Sequence, residues 1–285
     1  MRLLGQRFEQ ADINRAWIVR LDGLIVGACA ITRSWTGGRC FGPGCWVEVL
    51  PEFRARGVGR VLIAAAATRA TRLGARGLHA SHALGDPAQV RIVEMLGFDR
   101  VLTAVEWTLD AEGVFAECDR VVHRLLARRG GVAAEYLVKP LQGWSEAERD
   151  QAVELQVREG GGERSEVTRR VAGTASRSFH RTVSTGILDS KGTMVAVALA
   201  MVPDDVAVRT DSGVLESIVV ARSCRRGLVT PMLKRAVARK YLDLGGRIFT
   251  LATLDPHADT RRNAERLGPL ETRVIVRPYM MLHGD

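Results

Sequence analysis

The stretch Val49-Leu50-Pro51-Glu52-Phe53-Arg54-Ala55-Arg56-Gly57-Val58-Gly59-Arg60 decides how the chain is read. An apolar run from Trp46 to Leu50 ends at Pro51, and Val58, Leu62, Ala65, Ala66 and Leu73 then recur at helical spacing until Gly74 and Gly77. A strand, a glycine loop and a helix in that order gather free backbone N–H groups and the positive end of the helix dipole at one point, which makes an anion site. Gly57 and Gly59 carry no Cβ, so the backbone can come close to a pyrophosphate, and Arg54, Arg56 and Arg60 add charge around it. No Gly-Lys-Ser/Thr follows, so this is not a Walker loop, and no GxGxxG dinucleotide fingerprint is present. Spacing alone leaves open a glycine turn ringed by solvated arginines.

Working outward, Trp17 to Leu21 and Leu24 to Thr32 read as strands joined by a two-residue turn at Asp22-Gly23. After the helix, Leu78 to His82 returns as a strand, Pro87 to Leu96 forms a helix ended by Gly97, and Val101 to Leu109 reads as a closing strand. A helix between neighbouring strands implies a parallel crossover. The pattern is then written a second time, at an offset of about 170 residues. Asp22-Gly23 answers to Lys191-Gly192, Arg56-Gly57 to Arg226-Gly227, Leu73-Gly74-Ala75-Arg76 to Leu244-Gly245-Gly246-Arg247, and Glu94-Met95-Leu96-Gly97 to Glu265-Arg266-Leu267-Gly268. The second copy is longer at its front: a strand near Tyr136 to Pro140, a helix opened by the capping-box pattern Ser145-Glu146-Ala147-Glu148, and a helical stretch around Glu166 to Ser178. The first copy is therefore front-truncated. Val114, Val121, Val122, Leu125 and Leu126 mark a bridging helix, and the expected division is 1–110, a linker helix at 111–132, and 133–285.

Composition bounds the function. The 285 residues are 46% hydrophobic, enough for two cored domains. No apolar run reaches the roughly 18 residues of a membrane span. The start, Met1 to Arg7, has no long apolar signal region, so a cytoplasmic location is expected. The five cysteines contain no CxxC pair, and neither a zinc site nor a disulfide framework is indicated. The net charge of +9 invites a nucleic-acid reading. Its arginines are spread along the chain rather than gathered, however, so no nucleic-acid or membrane partner is expected, and a basic surface also suits a polyanionic cofactor.

The loop from Val49 to Arg60, the hairpin from Asp22 to Gly27, and Glu94-Met95-Leu96-Gly97-Phe98 together resemble the GNAT (Gcn5-related N-acetyltransferase) superfamily. The resemblance spans about 20 to 108, and the repeat extends it over about 180 to 280. It implies an α/β (α+β mixed sheet) class with two tandem GNAT folds, as in tandem proteins such as mycothiol synthases. It further implies an acetyl-CoA co-substrate without metal, and transfer to a primary amine of a small molecule or peptide. By the same resemblance the backbone at Val47 and Val49 pairs with the acyl-pantetheine arm. Arg54, Ala55, Arg56, Gly57, Val58, Gly59 and Arg60 would hold the phosphates, and Asp86 falls where the family usually has an asparagine.

The family's usual base positions match Pro43 and Cys45, neither a carboxylate, and its usual helix tyrosine falls at Val93. Candidate catalytic groups are His82, at the end of its strand and suited to take a proton near neutral pH, with Ser81 beside it, and Glu48, which strand alternation points away from the face of Val47 and Val49. Cys45 reads as a core thiol, and Trp35, Trp46 and Trp107 as possible walls of an acceptor pocket or as core. In the second copy, Cys224-Arg225-Arg226-Gly227-Leu228-Val229 lacks the first Arg/Gln and sets Val229 against the second glycine, so weak or absent cofactor binding is expected there.

Overall fold

The computed structural model describes residues 13–32, 42–81, 87–98, 100–128, 136–175, 178–202, 213–225, 227–254 and 258–282. It divides into two compact units, residues 1–103 with 161–163 and 275–285, and residues 104–160 with 164–274.

The first unit begins with the hairpin β1 (Ile13–Leu21) and β2 (Leu24–Thr32), antiparallel and joined at Asp22 and Gly23. Both turn residues have positive φ, 48° and 81°, the backbone that a two-residue hairpin of matching twist demands. β2 pairs antiparallel with β3 (Gly44–Val49). The chain then crosses through α1 (Val58–Arg72) to β4 (Gly77–Ala80), which lies parallel to β3. α2 (Pro87–Met95) follows and ends where Gly97, at φ 94°, turns the chain so that Phe98 N–H reaches Val93 O. Helix α1 packs on one face of the sheet, where Val58, Leu62, Ile63 and Ala66 meet Cys29, Ile31 and Cys45.

The second unit repeats that order with its front complete. β6 (Tyr136–Pro140), β7 (Thr185–Asp189), β8 (Met194–Met201) and β9 (Gly213–Val220) are successively antiparallel, and β9 runs parallel to β10 (Ile248–Leu254) after the crossover helix α6 (Val229–Asp243). Alternation along β8 splits its core: Ala196, Ala198 and Ala200 face α6, and Val197 and Leu199 face α4 (Glu146–Leu155) and α5 (Arg164–Ala172). The helical stretch expected to reach Ser178 stops at Ala172, because Gly173 adopts φ 82° and Thr174 N–H turns back to Arg169 O. The bridging helix is α3 (Ala111–Arg128), whose Val114 and Cys118 belong to the core around α6 and whose Val122 is also buried. α7 (Ala258–Glu265) is the last helix.

The closing strands differ from the sequence reading. β5 (Arg100–Asp110), expected to close the first copy, pairs antiparallel with β10 in the second unit through residues 104 to 110. β11 (Glu271–Met281) pairs antiparallel with β4 in the first unit, from Tyr279↔His79 to Met281↔Gly77. Each copy of the repeat thus receives the last strand written in the other. Among the described residues no helix is long and apolar enough to cross a membrane.

Candidate functional site

β3 and β4 are in register at Gly44↔His79 and Cys45↔Ala80, and the Ser81 amide donates to Cys45 O at 3.0 Å. β4 then stops at Ala80 while β3 continues to Val49. The two strands form a fork with its apex at Ser81. Backbone groups alternate sides along a strand, so the edge of β3 that serves Cys45 at the apex continues at Val47 and Val49. Among the described residues no strand pairs with that edge beyond Cys45. It offers a second extended chain a place to hydrogen-bond.

The open edge leads to the anion loop. A single 3-10 turn, Pro51–Phe53, carries the chain to Arg54, whose Nε donates to Val49 O at 3.1 Å and ties the loop to the strand end. Ala55 and Gly57 both take positive φ, 60° and 83°, and Gly57 is the N-cap of α1. Such alternation turns successive amides toward one side, and the first-turn amides of Val58, Gly59 and Arg60 have no intrahelical carbonyl to bond. A Cβ added at Gly59 would find, among the described residues, only Val49 Cγ2 within 4 Å, at 3.9 Å, so the space beside Gly59 is open. Arg56 lies over the Phe53 ring at 5.5 Å, and Arg54, Arg56 and Arg60 are exposed. An open strand edge running into a positively framed helix start fits a ligand with an amide-bearing arm and a pyrophosphate, the chemistry of acyl-CoA.

The face of the fork opposite α1 carries the polar groups. Cys45, Val47 and Val49 pack toward α1, so Gly44, Trp46 and Glu48 project the other way. Ser81 and His79 join them: a Cβ on Gly44 would stand 2.8 Å from Ser81 Oγ and 3.3 Å from His79 Nε2. Glu48 is thus directed away from Val47 and Val49, as its position in the strand predicts. His79 was overlooked in sequence in favour of His82, although the spacing His79-x-Ser81 on a strand sets both on one face. His82, Asp86 and Trp35 lie outside the described residues. Trp107 is a core residue of the second unit, its indole N–H bonded to Thr253 Oγ1 at 2.9 Å. Cys45 is a core thiol. Its Sγ lies 3.6 Å from Cys29 Sγ, and that hydrogen bond together with burial pushes its pKa well up, away from a reactive thiolate. Val93 packs against the first unit's apolar core.

The second unit shows the same loop altered. Its crossover helix starts at Val229 as α1 starts at Val58, so the loops register one residue away from the sequence matching. Arg225, not Cys224, stands at the place of Arg54, and its Nε makes the same bond, to Val220 O at 3.2 Å. The first arginine is therefore present. What differs is the turn: Leu228 replaces Gly57 with an ordinary φ of −74°, Thr230 replaces Gly59, and Pro231 replaces Arg60 and has no N–H to offer. Glu159, its side chain 8% exposed, pairs with Arg225 at 2.7 Å and with Arg222 at 3.7 Å, so an internal carboxylate already takes these cations. At the position of Cys45, Glu216 is held by the buried Arg170, which also stacks on Phe179 at 4.0 Å. Among the described residues no group of His, Cys, Asp and Glu side chains is arranged to hold a metal ion.

Residues 12–100 match the family model described as the acetyltransferase (GNAT) domain. No curated protein matches the sequence. Among solved structures, the chain is similar to a GCN5-related N-acetyltransferase from Sphaerobacter thermophilus (13% identity, 99% of this chain and 86% of that one, TM-score 0.50). Another, from Kribbella flavida, has 14% identity over 94% and 60% of the two chains, with a TM-score of 0.52. A tandem GNAT protein of the clavulanic acid biosynthesis pathway has 19% identity over 95% and 83%, with a TM-score of 0.48. The forked β3–β4 pair and the glycine loop that opens α1 both fall within the residues that match the acetyltransferase (GNAT) domain, so the family resemblance of this chain is carried by its first unit.

Proposed function

We propose that the first unit is an acetyl-CoA-dependent N-acetyltransferase acting on a primary amine, carried by a specialised metabolite or by the N-terminus of a small peptide product, in a tailoring or self-protection role. The observation that carries this reading is the convergence of the open β3 edge at Val47 and Val49 with the amide cluster from Ala55 to Arg60. When bound, acetyl-CoA supplies an activated acyl carbon. The chain's own residues align it along β3, bind its phosphates at the start of α1, and leave the face of Glu48 and Ser81 for the amine. Glu48, and His82 following Ser81 in sequence, are the proposed proton acceptors for the ammonium. The second unit, with Pro231 at the place of Arg60 and Glu159 paired to Arg225, serves architecture rather than cofactor binding.

A non-catalytic acyl-CoA-binding module is the second reading, favoured by the packed Val93 where the family usually has a tyrosine acid. Turnover separates the two. With purified protein, acetyl-CoA and a broad panel of primary amines, CoA release above the hydrolysis background is expected with at least one amine. Tight acetyl-CoA binding without release on any amine favours the binding module.

A further inference from the structure

Two buried donors at the apex of the fork have no partner among the described residues: Trp46 Nε1 and Ser81 Oγ. Trp46 is the next residue of β3 after the Cys45↔Ala80 pair, and Ser81 the next after β4, so the two are lateral neighbours. Both project to the face opposite α1. Leaving a buried donor unmatched costs about 1–3 kcal/mol, and native structures leave few such groups. An indole N–H can only donate, so the missing partner is an acceptor, such as a carbonyl oxygen. Because α1 covers the other face, an amine reaching an acyl carbon held in the fork arrives from the side of Trp46, Ser81 and Glu48.

Glu48 is two residues beyond Trp46 on the same face, a separation of about 7 Å between their Cα atoms. A carboxylate at one end and an N–H with a hydroxyl at the other suit a substrate with an ammonium and a carbonyl oxygen on adjacent carbons. Its nitrogen and oxygen lie about 3 Å apart and each adds a hydrogen bond of roughly 2.8 Å. We infer that the acceptor is a 2-amino carbonyl compound, an amino acid derivative or a peptide N-terminus, whose carbonyl oxygen is received by Trp46 Nε1–H and Ser81 Oγ–H while its ammonium faces Glu48. This inference rests on the acetyltransferase reading of the same fork and narrows it to one substrate class.

The test compares glycinamide with ethylamine, which lacks the carbonyl, in the full-length protein, with kcat/KM expressed per unprotonated amine. Glycinamide is expected to be favoured at least tenfold, and the ratio to fall toward one in Trp46→Phe, which keeps the ring but not the N–H, and in Ser81→Ala. Acetyl-CoA Kd, read by calorimetry, is expected to stay within twofold in both variants, which establishes that they are folded. A wild-type ratio near one, or a ratio unmoved in both variants, overturns the inference while leaving the acetyltransferase reading in place. Acetyl-CoA bound with no CoA released on any amine overturns both.

Discussion

Gly59 sits in the first turn of α1, where an added Cβ would touch, among the described residues, only Val49 Cγ2, at 3.9 Å. A side chain there is tolerated by the fold and would crowd the first-turn amides proposed to bind the phosphates. Gly59→Val is therefore expected to raise the acetyl-CoA Kd at least tenfold, read by calorimetry, while the melting temperature moves by less than about 3 °C, since a surface change away from packed features stays within roughly 0.5 kcal/mol. Unchanged affinity would place the phosphates elsewhere. Residue types at this loop were legible in the sequence because glycine and arginine at fixed spacing carry their chemistry locally. Its register against the second copy was not. Matching Arg56-Gly57 to Arg226-Gly227 by letter misses that Val58 and Val229 start equivalent helices, and that Arg225 repeats the Arg54 bond to the end of the preceding strand. A hydrogen bond to a carbonyl five residues back fixes that register, and only the folded loop displays it. Ser81 and Glu48 could be named from strand alternation, whereas the unpartnered indole of Trp46 is a property of packing and has no sequence signature.

At the scale of the element, α4 shows a cap that is legible in sequence and an ion pair that only the fold adds to it. Ser145 Oγ accepts from Glu148 N–H at 3.2 Å, Glu148 Oε2 accepts from Ser145 N–H at 2.6 Å, and Lys139 Nζ reaches both carboxylate oxygens at 2.9 and 2.8 Å. The Lys139 hydrogen bond, then that from the Ser145 amide, lowers the Glu148 pKa below its ordinary range. A carboxyl whose folded pKa is depressed contributes stability that is fully present above its unfolded value, about 4.3, and is lost as pH falls through the folded one. Ser145→Ala is expected to cost about 1 kcal/mol at neutral pH, the usual worth of an N-cap. Glu148→Gln is expected to lower the melting temperature at pH 7 and to converge with the wild type as pH drops below about 4. Parallel melting curves across that range would mean that the ion pair and cap add nothing. The hairpin at Asp22-Gly23 was equally legible, since its turn needs positive φ at both positions. The end of α5 was misread because the helical pattern alone does not reveal that Gly173 turns left-handed.

At the scale of the molecule, the repeat reveals two copies but not which strand closes which. β5 and β11 follow equivalent helices in the sequence, and both are apolar enough to lie in either sheet, so periodicity cannot choose between them. In the structure β5 lies along β10 and β11 along β4. The copy written in residues 1–110 therefore lacks a strand that its own sheet uses, and it leaves β4, four residues long, with β3 as a partner through only two register pairs. An open β4 edge of this kind removes ladder hydrogen bonds and exposes the strand to pairing with other chains. Met280 and Leu282, which pack against the apolar core of the first unit, are lost with it. We predict that a fragment ending at residue 110 shows no cooperative thermal unfolding and no measurable acetyl-CoA binding. Joining residues 271–285 to residues 1–103 through a flexible Gly/Ser linker should restore a cooperative transition by returning β11 to β4. If the 1–110 fragment instead melts cooperatively and binds acetyl-CoA as tightly as the full chain, the exchanged strand is dispensable, and the first copy is a self-sufficient domain in the sense that its sequence alone implies.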